Sequence, residues 1–426
     1  MKTNNLIALL AITAIVPATT FAIPAWSRQA GASCTACHAT PTMQLNKTGL
    51  AFLKNGHRAE ALKVSSEDMK WDHYFSLVWK GRAYSDQLDG AKTGLANTQK
   101  PKSEFEQHSF SLYTGGAVAD RFSYFTELYL SENTGSTSGA NVVQSDASRK
   151  KLAEAFLQYN HPLGDGSDTF LAIRAGEILP GILHVFGVGA RSAEQRAVVL
   201  NEALAGNSNT YRPFSRQQGV DATLVSKQFE VAAGIVNGSD TSTTNSIDAD
   251  SNKDIFLSGL YNLDENESAI GAFYYKGKFS NYTVKQDFST ALLYKNDFYR
   301  AGLLGRYIQD KWRVVGAYFM GDETINATGG KAKNVGYYGL VDYNFNDTYG
   351  VFARYDRLDP NTAISNNEVT MALIGFNMML YQSEKSGARL SLEYTRKQTY
   401  LGGNITTAGT TKFSDDKFFA QITWAF

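Results

Sequence analysis

Residues 418–426 read Phe418-Phe419-Ala420-Gln421-Ile422-Thr423-Trp424-Ala425-Phe426. In an extended chain, side chains alternate between the two faces, so Phe418, Ala420, Ile422, Trp424 and Phe426 share one face and Phe419, Gln421, Thr423 and Ala425 the other. This is a β-strand that ends on an aromatic residue. The same pattern recurs from Tyr74 onward. Val335, Tyr337, Val341, Tyr343 and Phe345 share a face, as do Tyr349, Val351, Ala353 and Tyr355 beyond Asn346-Asp347, while Asp342, Asn344, Arg354 and Asp356 take the opposite faces. Ala388, Leu390, Leu392 and Tyr394 likewise oppose Arg389, Ser391, Glu393 and Thr395. Charge stays on one side of each strand.

The connections sort these strands into an architecture. Short ones stand near 118–120, 161–168, 226–228, 264–267, 309–311, 346–347 and 381–387. Longer polar segments lie near 85–103, 132–149, 179–217, 238–252, 279–297, 321–333, 358–366 and 399–414. Seven short connections alternating with eight long ones predict about sixteen strands, good to one hairpin, with both ends on the same side. A water-soluble sandwich also alternates, but links its strands by turns of similar length at both ends. The expectation is an all-β, transmembrane antiparallel barrel over residues 73–426, with short periplasmic turns and long external loops. Those 354 residues allow about 22 per strand and connector, of which about 10 span the bilayer.

Composition agrees by exclusion. The 41 basic and 41 acidic residues leave no net field to recruit nucleic acid. Beyond the N-terminus no run of about 18 apolar residues occurs, which excludes helical membrane spans. With 23 Tyr, 25 Phe and 5 Trp the chain carries too much aromatic surface to stay disordered.

The N-terminus sets the compartment. Lys2, the apolar stretch Leu6–Val16 and the small residues at Thr20 and Ala22 read as a signal peptide cleaved after residue 22. An apolar stretch that short cannot span a bilayer. The expected location is the bacterial outer membrane, with both termini periplasmic and the barrel wall against outer-membrane lipid.

Cys34-Thr35-Ala36-Cys37-His38 holds both cysteines of the chain and is the attachment pattern of c-type haem. Two thiols add to the two vinyl groups of one porphyrin, and the next residue brings an imidazole under the iron. Cys34 and Cys37 are therefore expected to tether one haem, with His38 as its proximal ligand. Zinc would need further soft ligands, and no other Cys exists. The sixth ligand is open among His57, Met43, Met69 and His73. His57 ranks first because Asn46–Arg58 reads as a short helix ending at a Gly that turns an imidazole inward. Met43 is the alternative, and Met in place of His raises the potential.

Residues 23–72 are too few to bury a core alone, so this haem segment is expected to tuck into or cap the barrel mouth. A sixteen-stranded lumen is wide enough for such a plug. Three other features carry less. Asp248, Asp250, Asn252 and Asp254 resemble the start of a calcium loop, but Lys253 stands where Gly is required and Gly259 where Glu is, which leaves a solvated acidic loop. Ile178–Ala190 reads as a loop folding inward or over the mouth, with His184 as a packed histidine, and Ala193–Ala205 reads as helical. No catalytic triad, phosphate loop or second haem motif occurs.

Residues Ile23-Pro24-Ala25-Trp26-Ser27-Arg28-Gln29-Ala30-Gly31, then Cys34–His38, then Asn46–His57 resemble the start of the outer-membrane fused monohaem cytochrome-porin family of iron-oxidising bacteria. Gly49, Phe52 and Gly56 match that family's pattern, whereas His57 stands where an aromatic residue is usual. The resemblance covers about 35 residues, and the barrel is similar in architecture only. It implies an electron-transfer oxidoreductase that takes electrons from extracellular Fe(II) through one haem to a periplasmic cytochrome or copper protein. The departure at position 57 bears on the ligand set and hence on the potential and direction. Electron export to an external acceptor, a diffusion porin with a structural haem, and peroxide reduction at an open iron position are the other readings. Porins of this size are commonly trimers, so a homo-oligomer is expected.

Overall fold

The computed structural model describes residues 24–58, 73–86, 102–132, 152–164, 169–180, 192–201, 209, 211–214, 216–238, 252–265, 267–284, 290–325, 330–383 and 386–426. The signal peptide, Met69, His184, Asp248 and Asp250 lie outside them.

Two short strands come first, β1 (His38–Ala39) and β2 (Gln44–Leu45). The barrel then runs β3 (Phe75–Asp86), β4 (Lys102–Ala119), β5 (Phe122–Glu132), β6 (Leu152–Pro162), β7 (Phe170–Ile178), β8 (Gln217–Val225), β9 (Phe229–Val236), β10 (Asp254–Asn262), β11 (Ala269–Val284), β12 (Thr290–Gln309), β13 (Trp312–Thr324), β14 (Lys331–Asn344), β15 (Tyr349–Asp359), β16 (Val369–Gln382), β17 (Gly387–Tyr400) and β18 (Lys412–Ala425). Each strand pairs antiparallel with its sequence neighbours, and β18 closes on β3 with Trp424 opposite Trp79 and Ala420 opposite Ala83. Closure satisfies every strand edge, which a sheet in hydrocarbon requires.

The barrel is apolar outside and polar inside. Ile422, Trp424, Tyr355 and Val341 are exposed, whereas Gln421, Asp342, Asp356 and Glu393 are buried. Leu303 is 66% exposed and Ile374 61%, which is tolerable only against lipid. Trp312, Phe345, Tyr349, Trp424 and Phe426 form an exposed aromatic row near the short turns, as expected of a headgroup interface. No described helix is long and apolar enough to cross a membrane.

All seven short connections are where expected, but several of the long ones, above all those at 279–297 and 321–333, are shorter than the sequence suggests. Residues 279–284 and 290–297 belong to β11 and β12, and β13 and β14 extend through Thr324 and from Lys331. Beyond the bilayer both faces of a strand meet water, so pairing continues where the alternation that marks a strand has faded. Asp254 is a second correction: it opens β10, buried, and accepts hydrogen bonds from the Tyr275 hydroxyl at 2.6 Å and the Lys278 amide at 2.9 Å. It is a wall residue and no part of a cation loop.

Two segments fill the described lumen. Residues 24–58 carry α1 (Pro24–Ala30), the β1/β2 pair and α2 (Lys47–Lys54), and lie across the short-turn end. They bond to β3 and β4 on one side, through Ala25 N to Ser76 Oγ and Trp26 Nε1 to Gly115 O. On the other side Arg389 of β17 reaches the carbonyls of Pro41 and Thr42. Residues 192–201, with the short helix α3 (Val198–Asn201), fold inward between β7 and β8. Glu194 pairs there with Arg389, and the Glu194 and Gln195 amides donate to the Glu393 carboxylate. The described helix is far shorter than Ala193–Ala205.

Candidate haem-attachment site

The Cys34–Ala36 turn is a single 3-10 turn closed by Cys37 N to Cys34 O at 3.1 Å. It places both thiols on one short loop, and they are not joined to each other. Cys34 is buried with its Sγ 3.4 Å from Ser27 Oγ, which ties the motif back to α1. Burial, with Cys34 adding, pushes the Cys37 thiol up to about 11.

His38 follows in β1, whose pairing with β2 turns the chain through residues 40–43. That turn brings the Met43 carbonyl to 2.9 Å from His38 Nδ1. A carbonyl only accepts, so Nδ1 carries the proton and Nε2 keeps its lone pair for a metal. Desolvation pushes the His38 imidazole down to about 4, against the pull of the Met43 bond and with Arg389 adding. Near neutral pH the ring is therefore uncharged, the form that ligates.

Asn46 organises what surrounds the motif. It caps α2 by accepting from Gly49 N at 3.0 Å, while its amide donates to the carbonyls of Thr35 and Ala36, each at 3.1 Å. Helix and attachment turn thus share one side chain. Gly49 allows the contact, since a Cβ there would stand 2.2 Å from Cys37 O.

The helix stops at Lys54, short of the expected Arg58, because Gly56 (φ +70°) and His57 (φ +64°) both enter the left-handed region. The reversal buries His57, as the sequence suggested. Its ring packs against Trp26, with centroids 4.6 Å apart, and against Phe125 of β5 at 4.4 Å, with Phe52 edge-on at 5.8 Å. Met43 contributes its carbonyl to His38, while its side chain packs with Met379 and Ala425 of the wall. His73 gives its carbonyl to Gln29.

The structure therefore brings Cys34, Cys37, His38 and the Met43 carbonyl together, and sets His57 in an aromatic box shared by plug and wall. Two thiols on one turn and a neutral imidazole oriented by a backbone carbonyl form a donor set that fits covalent haem. The roles of Asn46 and the Met43 carbonyl were not legible beforehand. The Asn residue before an apolar helix was a signal for the first, but nothing in the sequence signals the second.

Solved structures similar to this chain are outer-membrane barrels. The outer-membrane channel DcaP of Acinetobacter baumannii has a TM-score of 0.53 at 11% identity, covering 83% of this chain and 96% of its own. An anion-selective porin from Comamonas acidovorans has 0.53 at 12%, covering 83% and 98%. OmpT of Vibrio cholerae has 0.52 at 11%, covering 83% and 97%. At such identities the likeness is one of fold. No protein-family model and no curated protein matches the chain.

Proposed function

We propose that this chain is an outer-membrane electron-transfer protein that passes electrons from an extracellular donor, Fe(II), to a periplasmic cytochrome or copper protein through one c-type haem. The observation that carries the reading is the Cys34–His38 motif inside the lumen, with His38 Nδ1 committed to the Met43 carbonyl. When bound, the haem supplies a one-electron iron couple. Cys34 and Cys37 tether it, His38 presents Nε2 to the iron, and His57 is the sixth ligand proposed, with Met43 as its alternative. Residues 24–58 span the short-turn end, the periplasmic end in this reading, so a group held there faces a soluble carrier on one side and the lumen on the other.

The test is the visible spectrum of the purified, air-oxidised protein before and after anaerobic Fe(II). Rapid appearance of sharp reduced c-type bands is expected. Bands produced by dithionite but not by Fe(II) would reject the donor and favour another reductant or electron export. Absence of any haem band would remove the reading. A diffusion porin is then the alternative, favoured by the likeness in fold to channels, and its test is ion conductance in planar bilayers.

A further inference from the structure

The inward segment leaves the wall at β7 and returns to it at β8, yet its described residues are anchored on the far side of the barrel. In the closed order of strands, β15 and β16 stand opposite β7 and β8. Asn377 of β16 donates to the Ser192 carbonyl at 3.1 Å, and Arg354 of β15 donates to the carbonyl of Gln195. Asp356 accepts from Val198 N at 3.3 Å. Glu194 pairs with Arg389 of β17 and also stands 4.0 Å from Lys80 of β3.

From that far anchor the chain works back strand by strand. Asn209 donates to Glu323 of β13 at 3.1 Å. Tyr211 stacks against Tyr275 of β11 and Phe298 of β12, with centroids 4.2 and 5.2 Å away. Arg216 then pairs with Glu127 of β5 at 2.8 Å and Glu154 of β6 at 3.2 Å, just before β8 begins. A segment rooted at one wall and fastened to the opposite one crosses the lumen.

The wall beneath this segment has the chemistry of a core. A water-filled barrel lines its lumen with polar side chains. Here the inward positions of β11 and β13–β16 carry Phe273, Phe319, Leu340, Phe352 and Leu373, all buried. Leu340, Phe352 and Leu373 pack with Ala193 and Val198, while Phe273 and Phe319 belong to the cluster that holds Val199, Leu200 and Tyr211. Gly336 of β14 makes room for Val199, whose Cγ1 would stand 2.8 Å from a Cβ there. Lifting the segment would expose this apolar surface to water and strand the buried charges of Glu194 and Arg389, so the contact is held shut from both kinds of interaction.

We infer that residues 192–214 are a fixed strap that seals the lumen to water-borne solutes, so that this chain has the wall of a porin without its pore. The strap acts as a barrier in its own right, over and above the plug at the short-turn end. Arg389 ties the two together, since it bonds the Pro41 and Thr42 carbonyls of the plug as well as Glu194 of the strap. The seal does not depend on haem, and it counts against the diffusion-porin reading.

The test is efflux of trapped glucose from lipid vesicles carrying equal amounts of full-length protein, with folding of each variant checked by heat-modifiable migration. Three proteins are compared: the unaltered chain, Lys54→Met to loosen the plug, and Lys54→Met with residues 180–215 replaced by a short Gly-Ser link. Ile178 and Gln217 are register partners, so the β7–β8 hairpin closes without the strap. The first two are expected to empty no faster than protein-free vesicles, and the third many-fold faster. Should the shortened chain fail to assemble, Glu194→Ala with Tyr211→Ala frees the strap at both anchors in the Lys54→Met background and takes its place. Fast efflux through the unaltered protein or through Lys54→Met would overturn the inference, as would slow efflux through an assembled variant whose strap is removed or freed.

Discussion

The imidazole of His57 lies face-on against the Phe125 ring of the barrel wall, with centroids 4.4 Å apart and planes 19° from parallel. Trp26 packs beside both rings, its centroid 4.6 Å from that of His57 and 5.9 Å from that of Phe125. A ring packed against several aromatic neighbours is held in one orientation. His57→Phe should preserve the stack, so the plug stays seated, while removing the ligating nitrogens. The expected result is a normal heat-modifiable barrel with an altered haem spectrum. An unchanged spectrum in this variant or in His57→Ala would remove His57 as sixth ligand and turn attention to Met43→Leu.

Lys54 ends α2 between two wall carboxylates, Glu230 at 2.8 Å and Glu267 at 2.6 Å, and Arg306 joins the group at 3.2 Å from Glu267. All are largely buried. Removing one member leaves an uncompensated charge, which costs about 3–5 kcal/mol at buried pairs. Lys54→Met should therefore loosen the plug more than the barrel. Limited proteolysis should cut within residues 24–58 at lower urea than in the unaltered protein, with the barrel fragment still resistant.

Gly49 sits where helix and attachment turn touch. A methyl there would also lie 2.9 Å from Leu45 Cδ2, and the Cys37 carbonyl is held in place by the Asn46 amide at 2.9 Å. Gly49→Ala is expected to cost about 1–3 kcal/mol by overpacking. Lower yield of assembled protein with attached haem is the measurement.

Cys34→Ala or Cys37→Ala should lower the yield of assembled protein, because a segment of this size has little core without its staple. Heat-modifiable migration reads the outcome. Normal assembly of either variant would show that the plug folds on wall contacts alone.

Leu303 projects outward from β12. Leu303→Arg should cost about 2–4 kcal/mol if that position lies near the bilayer midplane. The expected readout is a lower urea midpoint in lipid vesicles. The equivalent change at a lumenal site has no such lipid penalty.

The barrel was legible because lipid outside and water inside impose opposite chemistry on alternate residues, as in Ile422 against Gln421. Strand ends beyond the bilayer lose that contrast, which is why 279–297 read as a loop. The site was legible in part. Cys34, Cys37 and His38 stand out because the covalent haem proposed for them requires that spacing along the chain. The Met43 carbonyl did not, since a backbone group has no side-chain signature, and neither did Lys54, whose meaning depends on Glu230 and Glu267 far along the chain.

By itself, then, the sequence determined the local patterns: strand alternation, the two classes of connection, and the Cys-x-x-Cys-His spacing, each set by neighbours a few residues apart. Only the tertiary structure decided what those patterns enclose. The packing of His57 against Phe125, the seating of α2 against Glu230 and Glu267, and the pairing of Glu194 with Arg389 all join residues distant in sequence. Their cost or benefit depends on burial and charge that exist only once the barrel has closed around them.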